Sequence, residues 1–218
     1  MNIPILTIDG PSGAGKGTVS RSVAKRLGWH YLDSGSIYRS LAIAVLDEKI
    51  KFEDIAEIAN VAKTMALEFD CDEELAVRLN GIDITSRLPT EETGNAASII
   101  AAYPEVRTVL LQKQKDFHKA PGLVADGRDM GTVVFPEASK KVYLTASAEE
   151  RANRRYKQLK EKGIDANLVR ITEEIEKRDR RDQERSVAPL TAAKDSLYID
   201  SSNLSVDQVI EKVMNLVP

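Results

Sequence analysis

The chain has 218 residues, of which 42% are hydrophobic and 30% are charged, and both fractions are ordinary for a globular protein. A chain of this length buries roughly 70% of its unfolded surface, so it forms a core without disulfides or a structural metal. Its 31 basic and 34 acidic residues leave a net charge of −3, which argues against a dedicated nucleic-acid-binding protein. The single cysteine, Cys71, excludes an intramolecular disulfide and a Cys-x-x-Cys metal site, as is typical of a reducing compartment.

No segment of the sequence predicts secretion or membrane insertion. The first nine residues lack both the basic region and the apolar region of a signal peptide. No window approaches the ~20 apolar residues that a membrane helix needs. We therefore expect a soluble, cytoplasmic protein with no membrane partner.

The first 66 residues alternate between strand and helix patterns. Residues 3–8 form a β-branched run that stops at Asp9-Gly10, which is typical of a buried parallel strand. Helical patterning begins at Thr18 and stops at Gly28, where a C-cap glycine is expected. The same alternation then predicts a second strand over residues 29–32 and helices over residues 36–47 and 53–66.

A hairpin signal interrupts this alternation. Residues 75–79 and 82–85 have strand character, and Asn80-Gly81 between them supplies the positive φ angles of a type I′ turn. Antiparallel hairpins do not belong in the middle of a parallel α/β series. We therefore interpret residues of about 64–95 as an inserted small subdomain.

The alternation resumes after the insert. Residues 104–118 predict a helix with Pro104 in its first turn. Further elements follow in chain order: strands over 123–125 and 141–144, a helix opened by a capping box at 147–150, a last strand over 197–199 and a last helix capped at 205–208. The sequence thus predicts an α/β fold with a five-stranded parallel sheet and helices on both faces.

A phosphate-binding loop follows the first strand. The residues fit G-x-x-x-x-G-K and are Gly10, Pro11, Ser12, Gly13, Ala14, Gly15 and Lys16. Such glycines let backbone N–H groups face phosphate oxygens, and the lysine reaches the β- and γ-phosphates. A glycine-rich turn with no ligand is the alternative, but the position between a strand and a helix favours a nucleoside triphosphate site.

The residues after the lysine depart from the commonest form of the loop. Gly17 takes the place of the usual Ser or Thr, and Thr18 follows it. Gly-Lys-Gly-Thr is similar to the loop of nucleoside monophosphate kinases. Thr18 is the candidate metal-binding hydroxyl, and the spacing leaves open whether it reaches the metal directly or through water.

Arginines accompany the candidate phosphate-binding segments. Arg39 follows the second predicted strand and Arg128 follows the third, while Arg178, Asp182 and Arg185 have the i, i+4, i+7 spacing of one helical face. By itself that face indicates only a solvated, ion-paired helix. Phosphoryl transfer, however, depends on cationic clamps and Mg²⁺, and arginine grips phosphate with two N–H groups. Together with the phosphate loop, these residues predict a phosphotransferase.

Four motifs resemble those of the bacterial cytidylate kinases. They cover residues 8–18, 32–35, 125–136 and 188–190, and the run from Asp126 to Pro136, Asp-Gly-Arg-Asp-Met-Gly-Thr-Val-Val-Phe-Pro, is the most specific. The resemblance implies reversible transfer of the γ-phosphoryl group of ATP to CMP or dCMP with Mg²⁺, by a monomer. It also implies that the hairpin insert helps to bind the monophosphate and that residues of about 151–185 form a lid.

The resemblance also implies a role for each matching residue. For ATP they are residues 10–18 of the loop, with Arg154 and Arg155 at the entrance of the lid. For CMP they are Arg39, Arg128 and Arg185 at the phosphate, Ser34 at or beside it, Ser98, Arg107 and Asp129 at the cytosine edge, and Arg178 and Asp182 at the pentose. Lys16, Arg128 and Arg185 are the implied catalytic residues.

The cytosine assignment has its own chemical logic. Cytosine presents an amino donor at N4 and acceptors at N3 and O2, so Asp129 would accept from N4 and Arg107 would donate to N3 or O2. Uracil would place an acceptor against the carboxylate, and a site with unpaired polar groups discriminates by up to ~10⁴. For Ser98, a helix serine with no role in binding stays open.

Three alternatives remain at this point. The first is a kinase for another small acceptor: UMP, dTMP, AMP or shikimate. The second is a binding module that uses nucleotide as a switch, although the Asn-Lys-x-Asp string of GTPases is absent. The third is an RNA-associated protein that uses residues 151–185, whose 12 basic and 8 acidic residues are too balanced for a strong polyanion surface. The two histidines, His30 and His118, do not indicate a triad or a metal site.

Overall fold

The computed structural model describes residues 3–70, 76–161, 163 and 165–217. The chain divides into two compact units, one of residues 1–32 with 118–218 and one of residues 33–117. Cys71 and Leu75, the first residue of the predicted hairpin strand, lie outside the described residues.

The elements alternate along the chain as follows. The strands are β1 (Ile5–Asp9), β2 (His30–Asp33), β3 (Leu67–Asp70), β4 (Ala76–Leu79), β5 (Ile82–Asp83), β6 (Leu123–Gly127), β7 (Lys140–Thr145) and β8 (Leu197–Asp200). The helices are α1 (Lys16–Leu27), α2 (Ser34–Asp47), α3 (Ile55–Thr64), α4 (Glu91–Ile100), α5 (Pro104–Lys115), α6 (Ala148–Glu161), α7 (Leu168–Glu184) and α8 (Val206–Met214). A five-residue π-helix, the π-turn, spans Met130–Val134.

The first unit is built on the predicted five-stranded parallel sheet, in the order β2-β6-β1-β7-β8. In the centre, Ile5 lies opposite Leu123 and Leu6 lies opposite Lys140. All five residues of β1 are buried, which explains why its sequence is a continuous apolar run rather than an alternating one. Because the strands are parallel, their carboxyl ends lie at the same edge of the sheet, and the phosphate loop begins at that edge.

The core of this unit lies between the sheet and helices α1 and α8. Leu6 and Ile8 of β1 cluster with Val19 and Val23 of α1 and with Val213 of α8, all buried. Each such side chain contributes roughly 1.5–3 kcal/mol by leaving water. α1 ends as predicted, with the following Gly28 at a φ of 65°, and the predicted capping box at Ser205 and Gln208 opens α8.

Trp29 joins the edge of this core. Its ring is partly buried and packs against the apolar cluster of the first unit. A β-carbon at Gly122 would lie 2.5 Å from its Cδ2 atom, so glycine leaves the space that the indole ring fills.

The second unit contains helices α2, α3, α4 and α5 and a three-stranded antiparallel sheet in the order β3-β4-β5. The hairpin prediction is confirmed, since Asn80 and Gly81 both have positive φ, 51° and 81°. β3 was not predicted and pairs with β4, Leu67 lying opposite Leu79. Helix α4 was not predicted either; Thr90 caps it by accepting the N–H of Thr93.

Among the helices of the described residues, none is both long enough and apolar enough to cross a membrane.

Candidate active site

The phosphate loop connects β1 to α1 in the first unit. Its backbone turns at Gly13 and Gly15, whose φ angles of 78° and 92° are ones that residues with a side chain rarely adopt. α1 begins at Lys16, two residues earlier than predicted, so the loop runs directly into the positive end of the helix dipole. The combination of inward-turning N–H groups and a helix N-terminus is an anion site.

Lys16 is held across this loop. Its side chain is buried, with 7% of the residue exposed, and its Nζ atom donates to the carbonyl oxygen of Pro11 at 2.9 Å. The ammonium group is therefore fixed over the loop by the loop itself. Thr18 is exposed in the first turn of the same helix.

Helix α6 is tied to the loop through Arg151, a residue that the sequence did not single out. Its guanidinium group donates to the carbonyl oxygen of Ser12 at 3.0 Å and to that of Ala146 at 3.0 Å. It also makes a bidentate ion pair with Asp179 of α7, at 3.1 and 2.6 Å. Since Arg151 is 4% exposed, one buried side chain joins the loop, α6 and α7.

The two arginines assigned to ATP lie one turn further along α6. Arg154 donates to Glu150 at 2.8 Å and to the carbonyl oxygen of Ser201 at 2.7 Å. A β-carbon at Gly15 would lie 3.9 Å from its Nη1 atom, so Arg154 is next to the phosphate loop. Arg155 is partly buried on the same helix.

Arg128 and Asp182 form a buried ion pair in the first unit. The Nε atom of Arg128 lies 2.9 Å from the Oδ2 atom of Asp182, and the side chains are only 17% and 6% exposed. Burial alone would raise the pKa of Asp182, but the charges of Arg128, Arg178 and Arg185 outweigh it and lower the pKa below its usual value. Four residues that the sequence predicted therefore do lie together: Arg128, Arg178, Asp182 and Arg185.

The prediction of one helical face for Arg178, Asp182 and Arg185 is wrong in one respect. α7 ends at Glu184, and Arg185 is its C-cap in an extended conformation, with a ψ of 137°. Its Nε atom donates to the carbonyl oxygen of Ala188 at 2.5 Å. The Ala-Pro-Leu motif that follows the helix thus holds Arg185, while spacing alone could not reveal where the helix stops.

Arg185 also lies beside Asp129. Its Nη2 atom is 3.7 Å from the Oδ1 atom of Asp129, and both side chains are buried, 5% and 4% exposed. Three arginines and two aspartates thus form an arginine–aspartate cluster (Arg128, Asp129, Arg178, Asp182 and Arg185). Guanidinium groups gathered in this way are suited to an anionic ligand such as a phosphate.

The remaining predicted residues lie in the second unit. Ser34 opens α2, and its hydroxyl donates to the Oε1 atom of Gln114 at 2.7 Å. The guanidinium of Arg107 lies 5.8 Å from the ring centre of Tyr38, and its Nη1 atom donates to the carbonyl oxygen of Ala101 at 3.2 Å. Arg39 is partly buried on α2, and Ser98 is buried on α4.

Comparison with known proteins identifies the family. A family model described as cytidylate kinase matches residues 6–218. The cytidylate kinase of Methylococcus capsulatus is 60% identical over 215 residues, which cover 99% of this chain and 97% of that protein. The cytidylate kinase of Aeromonas salmonicida is 53% identical over 212 residues, 97% of this chain and 92% of that protein.

The chain belongs to the cytidylate kinase family. The resemblance carried by the sequence motifs is thereby confirmed, and with it the interpretation as an ATP-dependent nucleoside monophosphate kinase.

The structure of this member of the cytidylate kinase family also shows residues near the candidate site that the sequence did not reveal. Gln114 and Tyr38 contact Ser34 and Arg107, and Arg151 joins the loop to the charged helices. Their partners are far away in the sequence, so no local pattern predicts the contacts. The one usable signal was the position of Tyr38 directly before Arg39.

Proposed function

We propose that this chain transfers the γ-phosphoryl group of ATP to CMP or dCMP, giving ADP and CDP or dCDP, as part of pyrimidine nucleotide metabolism. The match of the cytidylate kinase family over residues 6–218 is the observation that carries the proposal. The phosphate loop with its fixed Lys16 supports a triphosphate donor, and the buried arginines support a small anionic acceptor. Both features are what phosphoryl transfer requires of a protein.

In the first unit, we assign Lys16, Arg128 and Arg185 to the transferring and accepting phosphates. The loop N–H groups (residues 10–18) and Lys16 would hold the donor, while Arg154 and Arg155 would bind it from α6. Arg128 and Arg185 would hold the CMP phosphate, and Arg178 with Asp182 would meet the pentose. The ion pairs observed within the cluster support this assignment, because they fix the guanidinium groups before the substrate binds.

The reaction requires no general base. The second phosphate proton of a nucleotide has a pKa of about 6, so the attacking oxygen is already largely deprotonated near neutral pH. A phosphate oxygen of CMP attacks the γ-phosphorus of ATP as the bond between that phosphorus and the leaving ADP oxygen breaks. The positive charges of Lys16, Arg128 and Arg185 would stabilise the equatorial oxygens of the transferring group. Neither His30 nor His118 has a part in this step.

We assign recognition of the cytosine base to Asp129 and Arg107. Asp129 would accept from the N4 amino group, and Arg107 would donate to N3 or O2, with Ser98 as a further contact. In the second unit, the ring of Tyr38 and the carbonyl oxygen of Ala101 support Arg107. Arg39 and Ser34 of the same unit are assigned to the acceptor phosphate or its surroundings.

The donor set near the loop fits Mg²⁺ brought by ATP. Mg²⁺ is typically held by one or two protein oxygens, substrate phosphates and water, and the described residues contain no cluster of three or more metal ligands. Asp126 is buried, accepts from the hydroxyl of Tyr31 at 2.7 Å and would lie 3.9 Å from a β-carbon at Gly17. Thr18 and Asp126 would hold the ion, which neutralises phosphate charge when bound.

We further propose that the protein acts as a cytoplasmic monomer on free nucleotides, without nucleic acid or a membrane as partner. The hairpin insert of about 64–95 would serve the monophosphate, and residues of about 151–185 would act as a lid.

A coupled assay of ADP release tests the proposal. The purified protein is supplied with ATP, Mg²⁺ and one acceptor at a time: CMP, dCMP, UMP, dTMP, AMP or shikimate. We expect kcat/KM to be highest for CMP or dCMP. A higher value for another acceptor would overturn the assignment, and ATP hydrolysis that no acceptor accelerates would indicate a nucleotide switch instead.

A further inference from the structure

Asp9 is a buried carboxylate that none of the roles above uses. It is the last residue of β1, directly before the phosphate loop, and is 4% exposed. Its Oδ1 atom accepts the backbone N–H of Met130, and its Oδ2 atom accepts that of Gly131, each at 2.8 Å. Both carboxylate oxygens are therefore directed at one short segment of backbone.

That segment is the start of the π-turn, which follows Arg128 and Asp129 in the chain. The first N–H groups of a helix have no partner within it, and here a carboxylate from a neighbouring strand supplies one for two of them. The N–H of Val134 then closes on the carbonyl oxygen of Asp129 at 3.1 Å. The direction of the chain at Asp129 is thus set by a turn that Asp9 holds.

Gly131 makes this contact possible through its lack of a side chain. A β-carbon there would lie 2.8 Å from the Oγ1 atom of Thr7 and 3.1 Å from the Cδ atom of Lys141. The backbone of the turn therefore lies closer to the sheet than any other residue would allow. This close approach brings its N–H groups within reach of Asp9.

Keeping a carboxylate at this place has a cost in stability. Burial, with a smaller contribution from the charge of Asp129, raises the pKa of Asp9 to about 6, although the two N–H groups and Lys16 act in the opposite direction. Near neutral pH the group is therefore ionised in a place where burial disfavours the charge. Groups whose pKa is strongly shifted by burial and neighbouring charges are common at functional sites.

We propose that Asp9 is a positioning residue of the kinase: by holding the π-turn, it fixes Arg128 and Asp129 for the CMP phosphate and the cytosine edge. This inference rests on the proposed function. Asp9 contacts no substrate itself. Its hydrogen bonds go to the backbone of Met130 and Gly131, and its charge also interacts with Asp129 and Lys16. It couples the donor loop, which begins one residue later, to the residues assigned to the acceptor.

The first test compares Asp9→Asn with the wild type, using CMP and UMP as acceptors. An amide accepts one N–H group but turns its own NH₂ group towards the other, so the turn shifts. We expect kcat/KM for CMP to fall by at least about tenfold, as for the loss of a hydrogen bond to a charged group. The KM for ATP should stay within about twofold, and the ratio of CMP to UMP activity should narrow, as it does more fully in Asp129→Ala.

The matched control is Ile8→Val, on the preceding residue of β1. Its side chain is on the opposite face of the strand, in the apolar core. The Ile8→Val variant loses stability without a change in the π-turn, so its ratio of CMP to UMP activity should equal that of the wild type. If Asp9→Asn also leaves this ratio unchanged, Asp9 is merely structural and the inference is overturned.

A second variant tests the same contact from the other side and leaves Asp9 intact. In Gly131→Ala, the new methyl group would lie 2.8 Å from the Oγ1 atom of Thr7 and 3.1 Å from the Cδ atom of Lys141, so we expect the turn to move away from Asp9. We expect the same fall for CMP and the same narrowed ratio. Adding Thr7→Ala removes the obstructing Oγ1 atom, which has no hydrogen-bond partner among the described residues, and should restore kcat/KM to within about threefold of the wild type.

The outcomes separate this inference from the proposed function. Wild-type protein that does not phosphorylate CMP refutes the proposed function before any variant is compared. Wild-type protein that does so, together with normal CMP kinetics in Gly131→Ala, refutes the role of Asp9 alone. If Gly131→Ala lowers kcat/KM for CMP and the added Thr7→Ala restores it, the role of Asp9 is supported even if Asp9→Asn fails to fold.

Discussion

At the scale of single residues, Lys16 is positioned by the loop that it serves. A free lysine side chain loses conformational entropy when it grips a phosphate, but the bond to Pro11 fixes it in advance. Its charge is then available at the place where negative charge develops during transfer. The side chain of Arg185 is likewise fixed before substrate binds, because its Nε atom donates to the carbonyl oxygen of Ala188.

We expect Lys16→Met to lower kcat by at least ~10³, because the charge at the phosphates is lost while the side chain keeps its length. CMP binding should persist, since its assigned residues lie elsewhere. Steady-state kinetics and calorimetric titration with CMP measure the two effects. Lys25→Met, at the exposed end of the same helix, is the control and should be fully active; Lys16→Met with near wild-type turnover would contradict the assignment.

Asp9 and Asp182 predict opposite effects of pH on stability. The pKa of Asp9 is raised to about 6, so the folded protein holds a proton there that the unfolded chain releases near pH 4. The stability that this proton contributes is present below about pH 4 and is lost as the pH rises through about 6. The pKa of Asp182 is lowered, so its contribution is instead lost as the pH falls through its folded value.

Urea unfolding at about pH 4.5 and about pH 7 measures the effect of Asp9. Relative to the wild type, Asp9→Asn should be more stable at the higher pH than at the lower one by about 2 kcal/mol, because these two pH values span most of the effect of a shift of two pKa units. A relative stability that is the same at both values would show that Asp9 titrates normally.

At the scale of elements, α6 and α7 fully bury few of their residues. The buried residues of α6 are Arg151 and Ala152, and those of α7 are Ile171 and Asp182. Helices with so few buried contacts open at low cost, which suits a lid that closes over the nucleotides and excludes water. The assignment of a lid to residues of about 151–185 stays a proposal.

Hydrogen exchange tests the lid. Exchange of α7 amides should slow markedly when CMP and a non-hydrolysable ATP analogue are bound together, because closure protects them. The amides of β1, buried in the centre of the sheet, should change little. Equal exchange of α7 with and without the two ligands would contradict the lid.

The Arg151–Asp179 pair should couple the two helices. With side chains 5% and 15% exposed, loss of either partner leaves a buried charge and should cost about 3–5 kcal/mol. A double-mutant cycle with Arg151→Met and Asp179→Asn should therefore be strongly non-additive. The exposed pair Arg170–Glu174 on α7 is the control, with an expected coupling below about 0.5 kcal/mol; equal coupling in both pairs would contradict the buried role of Arg151.

The strands of the parallel sheet and most helices could be predicted because local signals agree there. Apolar runs end at Asp9 and Gly127, and a glycine or a capping serine marks the helix ends. Three elements escaped for physical reasons. β3 is four residues long, α4 contains Gly94 and Asn95, which are weak helix formers, and the π-turn ends in a β-branched pair typical of strands.

Site residues that lie within a sequence motif could be predicted. Those that belong to the site only through contacts with residues far away in the sequence could not. The loop and Arg128 lie within recognisable strings of residues. Arg151 and Gln114 contact residues 139 and 80 positions away, and a single sequence contains no record of such pairs. Asp9 lies within the motif of residues 8–18, but only the structure shows what its carboxylate binds.

At the scale of the whole molecule, substrate binding should stabilise the fold by mass action. At about 100 times its Kd, CMP adds about 2.7 kcal/mol, which for a chain of this size raises Tm by about 5–10 °C. UMP at the same concentration should raise Tm less, because the cytosine edge is then mismatched. Thermal unfolding followed by circular dichroism measures both, and equal shifts for the two nucleotides would contradict base recognition in the ground state.

The packing of Trp29 against Gly122 decides what an optical experiment on this protein can detect. Trp29 is the single tryptophan of the chain, and it lies in the unit that carries the phosphate loop. Indole fluorescence therefore reports the melting of that unit, whereas far-ultraviolet circular dichroism registers the helices of both. Coincident denaturation curves from the two probes would indicate one cooperative transition, and an earlier loss of ellipticity would identify the unit of residues 33–117 as the first to unfold.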